Sequence, residues 1–332
     1  MKKICLCLMA AVFVLVMGGR FSAAGQAKYP LMFNMANPPN EPYYRAYEQW
    51  SNNVKARTNG DVDIELYTLS QLGIEEDIIE QIRGGANIGQ STDTARLSNY
   101  VPAIGVLNAP YFLDNAEEVD RFVQLDMVQE WKKQLEDKFG IKALAMNFVY
   151  GERHFMTNKP IRHPRDLAGM LIRTPGAPVW VESIRALGAT PVALPRTEIY
   201  TSIQTRAIDG IDELYISFES NKLYELLNTV SETHDILLVN IPIVSAKWFA
   251  TLPAEYQKIL EEEAVKAGQQ ASEEIRRTEG GIRDYLKTQG ITIIPREEID
   301  IDAFKAAGER AYDVLKIREV RDAAYKALGK TK

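Results

Sequence analysis

GERHFMTNKPIRHPRDLAGMLIRTPGAP, residues 151–178, and LGATPVALPRTEIYTSIQTRAIDGIDE, residues 187–213, spell a strand ending in an arginine, a turn, a helix, and a second strand closing on acidic residues. The apolar run Met170, Leu171, Ile172 leads into Arg173, and Thr174-Pro175-Gly176-Ala177-Pro178 breaks it. An arginine so placed stands at the carboxyl end of a buried strand, where open α/β sheets bind ligands. It also opens the kind of loop on which binding residues concentrate. Its planar fork of donors suits a carboxylate bidentately. The alternative for Arg173 is a surface residue that caps the loop.

Outward from this block, strand and helix signals alternate, the pattern of an α/β fold. Residues 29–36 and 61–68 read as strands. Between them 42–57 reads as an amphipathic helix, with Tyr44, Tyr47 and Trp50 at helical spacing and expected in the core. Residues 74–83 form a second expected helix, closed by Gly84-Gly85, and 116–139 a third that stops at Gly140. The continuous apolar run 141–149 is expected as a strand buried on both faces. Residues 236–244, with Pro242 among them, read as a strand returning to the first unit. Beyond Leu252-Pro253 the chain turns charged and helical over 254–289, with a weak point at Gly280-Gly281, and again over 302–328. Tyr150-Gly151 marks a crossing between units. The expected division is 28–150 with about 239–279 in a first lobe, and 151–238 with about 280–332 in a second. Two α/β lobes joined by more than one crossover suit a hinged protein that closes on a small ligand.

Residues 1–27 read as an export signal. Met1-Lys2-Lys3 is basic, residues 4–17 are an apolar run of 14, and Ser22-Ala23-Ala24 supplies small residues for cleavage after Ala24 or Ala27. A spanning helix needs about 20 residues, so a cleaved signal is expected rather than an anchor. Cys5 and Cys7, the two cysteines of the chain, lie inside that run. The mature chain is then free of disulfides, thiolate catalysis and cysteine metal sites. With 46% hydrophobic residues it relies on its own core. The net charge is −6, and removing Lys2, Lys3 and Arg20 takes it to −9. Charges are interspersed and no basic stripe carries aromatics, so a nucleic-acid partner is not expected. Neither a nucleophile elbow, a phosphate loop, a dinucleotide fingerprint nor H-E-x-x-H is present. His154, His163 and His234, the three histidines, have no metal-ligand spacing. No cofactor and no metal are expected.

The patterns G-x-R-x-x-x-T-N-K-P-I, D-L-x-G-x-x-I-R-x-P-G-A-P, G-A-T-P and E-x-Y-x-x-x-Q-T-x-x-x-D-G, in that order, resemble the solute-binding proteins of TRAP transporters, of the C4-dicarboxylate-binding type. SQLG at residues 70–73 and the A-R…P…P-Y spacing over 95–111 match too, so the similarity covers nearly all of the mature chain. The resemblance implies a two-lobed, type II-like periplasmic binding protein with a hinge and long C-terminal helices spanning both lobes. It implies an extracytoplasmic monomer that hands an organic acid to TRAP membrane permease subunits without covalent chemistry. Arg173 falls on the arginine that pairs with the ligand carboxylate, and Arg153 on a second arginine of the same pocket. Asp93 and Arg96 fall in a loop of polar contacts, and Asn240 on the returning strand. Trp180, Tyr215 and Tyr150 are aromatic candidates for the ligand's apolar face, or core residues. Two positions depart from the family pattern. Glu213 stands where asparagine is usual, and Arg196 where a ring often covers the ligand. A glutamate disfavours a second carboxylate nearby and favours a hydroxyl or ammonium group, so a monocarboxylate with hydroxyls or an amine is expected over a plain dicarboxylate. Alternatively Glu213 pairs with Arg153 or Arg196 and never meets the ligand. Two other readings stay open: the receptor of an ATP-driven importer, and an exported enzyme using Asp212 or Glu213 as base.

Overall fold

Eleven strands form among residues 27–330, the part of the chain that this computed structural model describes. The expected export signal, but for its last residue, and both cysteines lie outside the described residues. In chain order the strands are β1 (Tyr29–Asn34), β2 (Val62–Tyr67), β3 (Ile88–Asp93), β4 (Ile141–Ala143), β5 (Phe148–Thr157), β6 (Leu171–Thr174), β7 (Thr190–Ala193), β8 (Gly210–Leu214), β9 (Thr229–Ser231), β10 (Leu237–Ser245) and β11 (Thr292–Ile294). The sheet runs β2-β1-β3-β10-β5-β8-β6-β7, with β4 on β10, and β9 on β5 followed by β11. β1 is parallel to β2 and β3, and β6 to β7 and β8. These are two α/β halves, each with helices on its faces.

β5 and β10 tie the halves together. Phe148 to Glu152 pairs with β10 in the first lobe, and Arg153 to Thr157 with β8 in the second. At the change-over Gly151 has φ +115°, a conformation that glycine adopts without strain. Opposite it the β10 register slips between Leu238 and Val239. A bulge there bends the strand pair and weakens its ladder locally. Both crossing strands are therefore irregular at one level, where a hinge belongs.

The helix Pro42–Arg57 buries Tyr43, Ala46, Tyr47, Trp50 and Val54, one stripe of a 3.6-residue period. Tyr47 and Trp50 take the expected core places, whereas Tyr44 is only partly buried and Tyr43 fills the third. The helix Ala254–Thr288 packs along it through Leu260, Ala264 and Ala267, and Trp50 Nε1 donates to the Leu260 carbonyl at 3.2 Å. At 35 residues this helix is roughly 50 Å long. It continues unbroken through Gly280-Gly281 to bury Leu286 in the second lobe. No helix among the described residues is long and apolar enough to cross a membrane.

Three expected elements divide. Residues 116–139 form two helices, Ala116–Phe122 and Asp126–Phe139. Phe122, Val123, Leu125 and Val128 would cover more than half the circumference of a straight helix, and the break turns all four inward. The apolar run 141–149 splits into β4 and the start of β5, with Pro242 of the partner strand at the gap and no N–H to donate there. Residues 302–328 form the helices Ile301–Val314 and Arg318–Leu328, turning at Lys316 with φ +58°. The last helix, expected with the second lobe, folds back onto the first. Ile317 and Ala324 are buried there, and the Tyr325 ring stacks on Phe112 at 5.6 Å.

Candidate functional site

β3 ends at Asp93, β6 carries Arg173 as its third residue, β8 carries Glu213 as its fourth, and β5 carries Arg153 just past the hinge. These ends meet in the cleft between the lobes. Arg173, Arg153, Glu213, Asp93, Arg96, Asn240 and Trp180, seven of the eight expected ligand contacts, line one cavity there with Arg196 and Tyr150. Glu75, Ser91 and Asn37 join them. The cavity leaves about 50 Å³ for water-sized molecules.

Tyr215 is the exception. Its hydroxyl donates to Glu232 at 2.8 Å and its ring meets His154 edge-on at 5.0 Å, within the second lobe's core. β8 ends at Leu214 and the helix Tyr215–Ser220 begins, so the chain turns away directly after Glu213. Asp212, a candidate base in the enzyme reading, is fully buried and lies outside the cavity lining.

The four arginines of the cavity differ in how well they are paired. Arg96 is held by Asp93, by Glu76 at 2.8 Å and by Glu75 at 3.5 Å. Arg153 donates from Nε to Asp212 at 3.0 Å and from Nη2 to the Asp212 carbonyl, with its guanidinium 4.7 Å from the centre of the Trp180 ring. Burial works against both charges, but the facing carboxylates win and raise both pKa values. Arg196 donates to Glu41 at 3.0 Å and to the Ser217 hydroxyl at 3.1 Å. Arg173 has no such partner. Its Nε and Nη2 both donate to the Leu194 carbonyl, at 3.0 and 2.9 Å, and its Nη1 comes no closer than 3.7 Å to Glu213.

The same imbalance acts on the Arg173 pKa. Burial, only partly offset by Glu213 and reinforced by Arg153, Arg96 and Arg196, pushes the Arg173 pKa down to about 9. A guanidinium stays protonated at neutral pH even so. The depression therefore measures a buried cation with too little negative charge around it. Nη1 and the second N–H of Nη2 are the donors that Leu194 leaves unused, and Glu213 stands 3.7 Å from Nη1.

The acids divide likewise. Glu213 accepts from the Leu214 N–H at 3.0 Å and lies 3.6 Å from Arg153. Burial works against its charge, yet Arg153, Arg196 and Arg173 outweigh it and lower the pKa. Glu213 thus lies between Arg153 and Arg173 and also borders the cavity. Burial pushes Asp212 up instead, against Arg153. Glu75, in the first turn of the helix Glu75–Arg83, is raised by burial to about 7 against the pull of Arg96. Its position two residues after the SQLG turn was readable in the sequence as an acidic first turn; its aim into the cleft was not. Among the described residues no group of three or more His, Cys, Asp or Glu is arranged to hold a metal ion.

The lobes touch across the cleft. Trp180 Nε1 donates to Asp93 at 3.2 Å, and Arg196 reaches Glu41. A family model for bacterial extracellular solute-binding proteins of family 7 matches residues 33–319. A TRAP periplasmic solute-binding protein of Escherichia fergusonii, in an apo open structure, is 32% identical and superposes with a TM-score of 0.79 over 90% of this chain and 99% of that one. A Fusobacterium nucleatum protein with bound sn-glycerol 3-phosphate is 27% identical, at 0.86 over 90% and 97%. One from Actinobacillus succinogenes with bound L-galactonate is 27% identical, at 0.84 over 90% and 99%. The two ligand-bound proteins superpose better although they are less similar in sequence.

Proposed function

This chain belongs to bacterial extracellular solute-binding protein family 7, the solute receptors of TRAP transporters, and we propose that it captures a polyhydroxylated organic acid bearing one negative charge. The observation that carries this reading is Arg173, a buried guanidinium with no carboxylate in hydrogen-bond range. A ligand carboxylate takes the Nη1–Nη2 edge end-on, through two charge-assisted hydrogen bonds. Every other arginine in the cavity already has a carboxylate in hydrogen-bond range, which leaves Arg173 as the fork for one ligand carboxylate. Glu213, Glu75, Ser91, Asn37 and Asn240 border the remaining space with acceptors and donors suited to hydroxyl groups. The bound L-galactonate of the Actinobacillus relative is a solute of this class. The Fusobacterium relative holds a phosphate ester, and Glu213 beside Arg173 argues against such a dianion here.

Closure around the anion buries it between the lobes, and the closed form is then what the membrane permease meets. Binding energy goes into shifting the open–closed equilibrium, not into chemistry. A thermal-shift screen of organic acids on the mature protein tests the reading, because a ligand at a hundredfold excess over Kd stabilises the folded state by about 2.7 kcal/mol. Sugar acids such as L-galactonate are expected to raise Tm and to be recovered unchanged by NMR. A response confined to dicarboxylates or phosphate esters would overturn the single-charge reading, and a chemically altered product would overturn the receptor reading.

A further inference from the structure

Glu41 lies behind the cavity and does not line it. It is 1% exposed, and four donors converge on its carboxylate. From the first lobe come Asn37 Nδ2, at 2.8 Å, and the Tyr150 hydroxyl. From the second come Ser220 Oγ, at 2.6 Å, and Arg196 Nη2, at 3.0 Å. Glu41 stands at the N-cap of the helix Pro42–Arg57, yet its side chain caps nothing there. A side chain that could satisfy its own helix instead reaches across the cleft to another lobe's cation.

We propose that Glu41 is a specificity-determining residue of the solute site: by holding Arg196 it leaves Arg173 as the cavity's one guanidinium without a carboxylate in hydrogen-bond range, and so turns away ligands with two negative charges. This rests on the single-charge reading above. Arg196 lines the cavity, so what neutralises it decides how much anionic charge the site accepts. With Glu41 in place, a second carboxylate meets Glu213 and a guanidinium whose charge Glu41 already offsets. Without it, Arg196 becomes a second free fork, and a doubly charged ligand gains a partner that a singly charged one cannot use.

The test is a pair of probes, L-galactonate and galactarate, which share a six-carbon polyol chain and differ by a second carboxylate in place of the terminal alcohol. Their affinities are measured by calorimetry on the mature wild-type protein, on Glu41→Gln, on Arg196→Gln and on the double variant. Losing the cross-lobe contact weakens closure for both probes alike, so the ratio of the two constants isolates the charge effect. Glu41→Gln is expected to shift that ratio toward galactarate by about tenfold, the order of one charge-assisted hydrogen bond. Arg196→Gln removes the cation, leaves Glu41, and shifts the ratio the other way; the double variant returns close to wild type. Should Glu41→Gln not fold, the direction of the Arg196→Gln shift decides alone. An unmoved ratio overturns the proposal, as does a Glu41→Gln shift that persists without Arg196. Wild-type protein that binds neither probe overturns the solute reading itself, an outcome visible before any variant is made.

Discussion

Replacing Arg173 with alanine separates the ligand's interest in that guanidinium from the fold's. The side chain is 3% exposed, and its only close partner is the Leu194 carbonyl, which takes two of its donors. Losing those charge-assisted bonds costs about 1.5–3 kcal/mol each, and water entering from the cleft replaces part of it. Against that stands the cost of keeping a poorly paired cation out of water, on the order of a few kcal/mol. The ligand-free variant is therefore expected to unfold within a few degrees of wild type. Binding behaves differently. A carboxylate drawn into this cavity loses its water and, without Arg173, meets Glu213 on one side and Arg153, already bonded to Asp212, on the other. Truncating one member of a buried charged pair costs about 2–5 kcal/mol, so affinity should fall roughly 30-fold to several thousandfold. Arg173→Lys keeps the charge but not the Nη1–Nη2 edge, and should also bind poorly. Calorimetric titration with L-galactonate, beside circular dichroism of the ligand-free variant, reads both halves. An affinity within threefold of wild type would refute the carboxylate clamp, and an unfolded variant would make Arg173 a structural residue.

Glu75 gives a pH dependence with a definite sign. Its folded pKa of about 7 lies above the ordinary 4.5, so its contribution to stability is fully present below about 4.5 and is lost as pH rises through 7. A bound anion nearby favours the protonated form further, so affinity for a monocarboxylate should rise as pH falls through about 7, with proton uptake on binding. Glu75→Gln should flatten that profile, and an unchanged slope would remove Glu75 from the account. Gly210→Ala tests the sheet beneath the site. A Cβ there would sit 2.5 Å from the Met156 carbonyl oxygen and 2.7 Å from Thr157 Cγ2, across the β5–β8 ladder. The clash is expected to cost about 1–3 kcal/mol, seen as a lower Tm of the ligand-free protein; an unchanged Tm would mean that the strands part more easily than their packing implies.

Local order along the chain settled the two-lobed α/β class, the crossing at Gly151 and most element limits, because period-2 and period-3.6 patterns and glycine turns act over a few residues. The helix 42–57 and the long helix from 254 are examples. The motif block supplies four of the seven expected residues that line the cavity, Arg153, Arg173, Trp180 and Glu213, and the first-lobe strands β3 and β10 bring Asp93 and Asn240 to face them. Where the reading and the structure part, a long-range contact is responsible. The helices over 116–139 and 302–328 break so that Phe122 and Tyr325 can reach a shared core around Phe112, and Tyr215 leaves the site because the chain begins a helix one residue after β8. Pairing among the charges was decided only by the tertiary structure. Nothing near Glu41 in sequence marks it as the partner of Arg196, 155 residues away. Nor does anything near Arg173 say that its neighbours would all be spoken for. Charge balance in a closed cleft is set by which side chains arrive there together, and that depends on how the two lobes meet.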